Sequence, residues 1–194
     1  MRWLVLAGLL PAMAVAQPGP RPLLVPARDV DVTYRIAGPA AAQIPGGAPD
    51  GVRLQWDASG QRLRAQAIGS PTYAITDLGR RFADIVFAAQ STYVEAPLRA
   101  GDPFAMVAGE SATFIRRGAS MVGGLACTEW AVRTLRIDGT GCVTAEGVVL
   151  RAAGAFDGMS GTVLAVSVFT VAQPKGAFQP PPGFFRLELG RAPW

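Results

Sequence analysis

Cys127 and Cys142 are the residues with the narrowest choice of chemistry in this sequence. Two thiols in a chain that reaches an oxidising compartment most simply close one disulfide. A redox pair would want CxxC spacing or a flanking base, and the sequence offers neither. The chain has no His, which excludes His triads, His general bases and His metal sites. Two Cys are too few for a four-thiolate zinc or iron–sulfur site. Gly158-Met159-Ser160-Gly161 is one residue short of a nucleophile elbow. Gly46-Gly47 and Gly123-Gly124 lack the Gly-Lys-Ser/Thr continuation of a phosphate loop. The acids are isolated, and the nearest pair, Asp29 and Asp31, sits on the polar side of a strand pattern. A two-carboxylate hydrolase would therefore need acids gathered from distant positions into one cleft, about 10 Å apart or less. The expectation is a protein without catalytic residues, cofactor or metal.

What remains is apolar. Trp56, Phe87, Tyr93 and Trp130, with Val166 and Val168 on a strand that is apolar on both faces, are the candidate lining of a ligand site. The paired cations Arg80-Arg81 and Arg116-Arg117 could face an anionic head group, or be ordinary solvated turn and strand residues. The 194 residues carry 18 Lys+Arg against 14 Asp+Glu, a net charge of +4. These charges are scattered, with no basic stripe interleaved with aromatics, so nucleic acid is not an expected partner.

The elements that would position these residues read as strands. Val30, Val32, Tyr34 and Ile36 alternate with polar residues, as do Val52, Leu54 and Trp56. Further short strands follow at Gln61–Ile68, Tyr73–Leu78, Phe82–Ala88, Thr113–Arg117, Cys127–Leu135, Gly141–Thr144, Thr162–Val171 and Phe184–Leu189. Turns are expected at Ala58-Ser59-Gly60, Ser70-Pro71, Asp138-Gly139 and Glu146-Gly147. About ten strands at such intervals indicate an antiparallel meander or barrel. One short helix is expected near Pro103–Ala108, after Asp102 as its cap. Thr162–Val171 carries Val163, Ala165, Phe169 and Val171 on one face and Leu164, Val166 and Val168 on the other. Antiparallel strands usually solvate one face, so a covering segment or a cavity is expected on both sides here.

Arg2, the apolar run Trp3–Val15 and the small-x-small site Ala14-Val15-Ala16 have the order of a cleaved secretory signal. The run is shorter than the roughly 20 residues a bilayer span needs, so no stable membrane anchor is expected. The expected layout is signal peptide 1–16, extended segment 17–28, a single β domain 29–190 and a tail 191–194.

Val122-Gly123-Gly124-Leu125-Ala126-Cys127-Thr128-Glu129-Trp130, followed by Cys142-Val143-Thr144-Ala145-Glu146-Gly147-Val148-Val149-Leu150-Arg151, resembles an uncharacterised family of exported bacterial proteins. That family is grouped with the periplasmic lipoprotein-carrier (LolA-like) superfamily. The opening Arg28–Arg35 and the Phe178–Leu187 segment, with its Pro run, resemble the family's first strand and its ending. The resemblance implies a mainly β fold: a strongly curved antiparallel sheet, an incompletely closed half-barrel, with one or two short helices or loops over its concave face. It also implies a periplasmic, non-enzymatic binding protein for an apolar or amphiphilic ligand, a lipid or a lipoprotein acyl chain. The alternative is an envelope protein-interaction or sensing module with a filled core.

Overall fold

The computed structural model describes residues 21–39, 41, 51–99, 112–156 and 158–188. The expected signal peptide, the helix near Pro103–Ala108, the tail 191–194 and most of the loop 38–51 lie outside the described residues.

Twelve strands form one sheet. They are β1 (Val30–Ala37), β2 (Val52–Asp57), β3 (Arg62–Ala67), β4 (Thr72–Asp77), β5 (Phe82–Phe87), β6 (Thr92–Pro97), β7 (Thr113–Val122), β8 (Leu125–Arg133), β9 (Ile137–Val143), β10 (Val149–Phe156), β11 (Met159–Thr170) and β12 (Phe185–Leu187). Their order is β12-β6-β5-β4-β3-β2-β1-β11-β10-β9-β8-β7. Two meanders, β1–β6 and β7–β11, are therefore joined through the antiparallel β1–β11 pair. Among the described residues β7 and β12 end the strand order, so the curved sheet stays open as a half-barrel, as the sequence led us to expect. β12 departs from the antiparallel rule by lying parallel to β6.

Two of the hairpins repeat one local device. Asp57 ends β2, accepts the Gly60 N–H at 3.1 Å and is followed four residues on by left-handed Gln61. Asp77 ends β4, accepts the Arg80 N–H at 2.8 Å and is followed four residues on by left-handed Arg81. Short polar side chains that bond the turn backbone in this way fix register as well as direction.

Alternation sorts the side chains. Register places Val30 and Val32 beside Trp56 and Leu54, and these beside Leu63 and Ala65, on the inner face. That face carries the main core, which includes Val30, Val32, Tyr34, Trp56 and Leu150. Full burial of each such aliphatic side chain contributes about 1.5–3 kcal/mol. On the outer face a second cluster unites Tyr73, Ile75 and Val86 with Phe178. Phe178 arrives from the 3-10 turn Lys175–Phe178, and the Pro run then leads the chain to Phe184 and β12. The Arg62 guanidinium lies 5.7 Å from the Phe178 ring centroid and the Arg64 guanidinium 3.9 Å from the Tyr73 ring. The segment with the Pro run thus covers the outer face of the first meander.

Three expectations are corrected. The strand count is twelve rather than about ten. The turn between β8 and β9 is at Thr134–Arg136, because the Thr134 hydroxyl accepts the N–H groups of Arg136 and Ile137 at 3.0 and 2.8 Å. Asp138 and Gly139 lie inside β9. Finally, β11 is not covered on both faces. Its pairing with β1 slips between Thr33 and Tyr34, where Val166 is the extra residue. The bulge resets the alternation: Val163, Ala165 and Val168 pack on the core, while Leu164, Val166 and Phe169 are exposed.

Candidate functional site

On the inner face the second meander is unusually bare. Gly139 and Gly141 on β9 stand beside Gly154 and Ala152 on β10, and these beside Gly161 and Val163 on β11. Larger side chains rise around this floor: Ile36, Phe114, Trp130, Val132 and Met159. The result is an apolar groove of about 330 Å³, within the size range of small-molecule sites.

The glycines are there because of close backbone approach. A Cβ on Gly139 would lie 2.6 Å from the Ala153 carbonyl oxygen. Gly141 is different, since a Cβ there would meet only the Arg151 carbonyl oxygen at 3.8 Å. Its missing side chain is space in the groove rather than relief of a clash.

The segment before β1 runs over this face. Pro22, Leu23 and Leu24 form one wall of the groove. Leu24, Val25 and Pro26 form a wall of a second apolar pocket, about 190 Å³, on the other side, with Val32, Leu54, Trp56 and Leu63. The strap is pinned at its C-terminal end. Trp56 Nε1 donates to the Pro26 carbonyl at 2.8 Å, and the Ala27 N–H donates to the Glu146 carbonyl at 2.9 Å. Its partner is the turn Thr144–Val148, closed by Gly147 N–H to the Thr144 carbonyl at 3.0 Å and by Val148 N–H to the Thr144 hydroxyl at 3.0 Å. That turn holds buried Val148 against the second pocket.

Cys127 and Cys142 form a disulfide. Cys142 stands opposite Glu129 in the β8–β9 register, so the bridge is diagonal, with a Cα separation of 5.5 Å. It ties together the two strands that carry Trp130 and Gly141.

Among the sequence candidates, Trp130 lines the groove and Trp56 the second pocket. Both indoles are buried, and each meets the pocket as part of its wall. The others are elsewhere. Phe87 stands between Thr72 and Thr92 on the first meander. Tyr93 packs on the outer-face cluster. Val168 is packed against the core, and Val166 is exposed at the bulge. The small residues Gly139, Gly141, Ala152, Gly154 and Gly161 were missed, because in a lone sequence glycines read as turns.

The titratable groups serve the framework. Asp31 pairs with Arg53, and Glu129 with Arg151. Asp57 accepts Arg62 Nη2 at 2.7 Å and the Ser59 hydroxyl at 2.7 Å. Burial pushes the Asp57 carboxyl up, but those bonds and the Gly60 N–H outweigh it and hold the group below the usual range. Burial pushes the Tyr34 phenol up, and its hydroxyl donates to the Val149 carbonyl at 2.8 Å. Asp84 and Glu95 stand opposite each other on β5 and β6. Burial raises the Asp84 carboxyl, the Glu95 charge raises it further, and Arg80 and Arg186 oppose this. Glu95 is held by Arg80 at 3.5 Å and Arg186 at 3.0 Å. This acid pair belongs to a charge network that anchors β12 and lines neither apolar pocket.

No protein-family model matches the sequence, and no curated protein matches it. Solved structures do. An uncharacterized conserved protein from Thermus thermophilus superposes with a TM-score of 0.56 at 9% identity, covering 83% of this chain and 90% of that one. PNGF-II superposes with a TM-score of 0.50 at 11% identity over 77% of this chain, which spans only 30% of PNGF-II. The MucA/MucB complex from Pseudomonas aeruginosa superposes with a TM-score of 0.48 at 15% identity, covering 78% of this chain and 55% of that one. At these identities the likeness is one of fold. The expected membership of an uncharacterised exported family has no family model behind it.

Proposed function

We propose that this chain is an exported, non-enzymatic binding protein whose open inner face receives the hydrocarbon part of a lipid or lipoprotein. The observation that carries the reading is the groove floored by Gly139, Gly141, Ala152, Gly154 and Gly161 and walled by Trp130, Val132 and Phe114. Such a lining needs no catalytic group. Each buried CH₂ contributes about 0.8 kcal/mol, so a chain of ordinary length binds by hydrophobic contact alone. The disulfide fits an oxidising compartment, and with the signal-like N-terminus it supports the periplasm.

The test is native mass spectrometry of the mature protein purified from the periplasm without detergent. A bound mass matching a lipid is expected. Gly141→Leu fills the groove where a side chain has room, and this variant is expected to emerge as the apo mass with its fold intact. Delipidated wild-type protein that takes up neither fatty acid nor phospholipid would sink the reading.

The second reading is an interaction module for an envelope protein. It is favoured by β7, a ten-residue strand at an open sheet edge. Such an edge can accept another strand. A stoichiometric protein partner with no co-purifying lipid would favour it over the first.

A further inference from the structure

The apolar space of the inner face is divided in two. The groove of about 330 Å³ lies over β9, β10 and β11, and the second pocket of about 190 Å³ lies over β1, β2 and β3. The segment before β1 passes from one to the other. Pro22 and Leu23 wall only the groove, Val25 and Pro26 wall only the second pocket, and Leu24 walls both. From the sheet, Val149 of β10 borders both as well. Leu24 and Val149 are therefore a septum, and the strap that carries Leu24 is held firmly. Trp56 holds the Pro26 carbonyl, the Glu146 carbonyl holds the Ala27 N–H, and a Cβ on Gly147 would lie 2.4 Å from the Val25 carbonyl oxygen. The strap is nevertheless no sealed roof, since Leu23 and Leu24 are 50% and 40% exposed. In the second pocket the polar groups are already occupied: the Tyr34 hydroxyl bonds the Val149 carbonyl and the Trp56 indole N–H bonds the Pro26 carbonyl. Apolar space of this size leaves its lining short of packing partners and readily takes up apolar molecules.

We propose that the site takes a lipid with two hydrocarbon chains, one in the groove beside Trp130 and the other in the second pocket beside Trp56, parted by Leu24. This deepens the lipid-binding reading and rests on it. A single chain would have to bend around Leu24 to fill both spaces, whereas two chains leaving one head group can pass on either side of it. The exposed Leu23 and Leu24 then meet the chains where they diverge, and the head group stays in water. No charged side chain is needed for this selection, because the ligand is chosen by the branching of its hydrocarbon.

The experiment compares two phosphocholine lipids, 1,2-dioctanoyl-glycerophosphocholine and 1-hexadecanoyl-lysoglycerophosphocholine, below their micelle-forming concentrations. They share a head group and sixteen acyl carbons, and differ in having two chains or one. Calorimetric titration of the delipidated mature protein is expected to give at least about tenfold tighter binding of the two-chain lipid, the factor supplied by burying two further methylene groups. Native mass spectrometry with decanoate should show up to two molecules bound per chain. Gly141→Leu fills the groove and Leu63→Trp the second pocket. Each should reduce decanoate to one molecule and remove the preference for two chains. Leu78→Phe reaches the same pocket by another wall if Leu63→Trp does not fold, and the wild-type comparison stands without either. Equal or tighter binding of the single-chain lipid overturns the inference while leaving the lipid-binding reading in place, as does a limit of one decanoate in the wild type. A two-chain preference that survives filling of the second pocket in a folded variant overturns it too. Failure of all three compounds to bind overturns the reading beneath it as well.

Discussion

Gly139 and Gly154 face each other across β9 and β10 so closely that a Cβ built on Gly154 would lie 2.5 Å from the Gly139 Cα. Each glycine is thus required by its partner, and together they keep the groove floor flat. Gly139→Ala or Gly154→Ala forces the two strands apart, and overpacking of this kind typically costs about 1–3 kcal/mol. Gly141→Ala, with room for its methyl group, is expected to be far milder. Thermal unfolding of the three variants tests this. Equal losses in all three would mean that backbone approach is not what demands glycine here.

The disulfide closes a sequence separation of 15 residues between β8 and β9. In the chain-entropy model such a loop contributes on the order of 3 kcal/mol, through the unfolded state. Cys127→Ala/Cys142→Ala should therefore lower the denaturant midpoint markedly, and reduction of the wild type should do the same. Both sulfurs are buried in the core, so the alanine pair also removes packing and should fall at least as far as the reduced protein. An unchanged midpoint in both cases would show that the bridge constrains nothing.

The half-barrel was legible because period-2 alternation is a local property. Val30, Val32 and Tyr34 point inward where the pattern places them. The alternation stopped being reliable at Val166, since one unpaired residue reverses the parity of everything beyond it. Register set by a neighbouring strand is invisible within the strand itself. The same limit hid the site. Trp56 and Trp130 announce themselves as large apolar residues, whereas a groove is defined by what is missing between them. Asp138-Gly139 reads as a turn because Asp-Gly is strong turn chemistry. The turn forms instead at Thr134, whose hydroxyl satisfies two backbone donors.

Asp84 and Asp57 should give opposite pH signatures. The Asp84 carboxyl is raised by burial and by Glu95, so the fold prefers its protonated form. Its contribution to stability is fully present below the unfolded value, near about pH 4, and is lost as pH rises through the raised folded value. Asp84→Asn should accordingly raise the melting temperature at neutral pH, with the gain shrinking toward pH 4. Asp57 is held low, so its contribution is present above the unfolded value and lost as pH falls. Asp57→Asn should lower the melting temperature at neutral pH and matter less in acid. Melting curves between about pH 3 and pH 7 separate the two signs. A stabilising Asp57→Asn would contradict the bonding described for its turn.

The strap across the inner face has a single tight seat. A Cβ on Gly147 would lie 2.4 Å from the Val25 carbonyl oxygen and 3.0 Å from the Leu23 Cβ, and Gly147 has a φ of +87° that only glycine adopts freely. Gly147→Ala therefore strains the Thr144–Val148 turn and pushes Val25 off it. Trp56→Phe acts on the same strap by a different route, removing the bond to the Pro26 carbonyl, a loss of about 1 kcal/mol. In both variants the Ala27 amide, bonded to Glu146 in the wild type, should exchange with solvent several-fold faster, while amides in β3 and β4 stay protected. Because Leu24 walls both pockets, loosening the strap should also join the groove and the second pocket into one longer trough. Its consequence is a shift in chain-length preference: the variants should favour longer fatty acids than the wild type does. If Ala27 exchange rises while the preferred chain length stays fixed, the strap does not bound the ligand, and the groove beside Trp130 accommodates it alone.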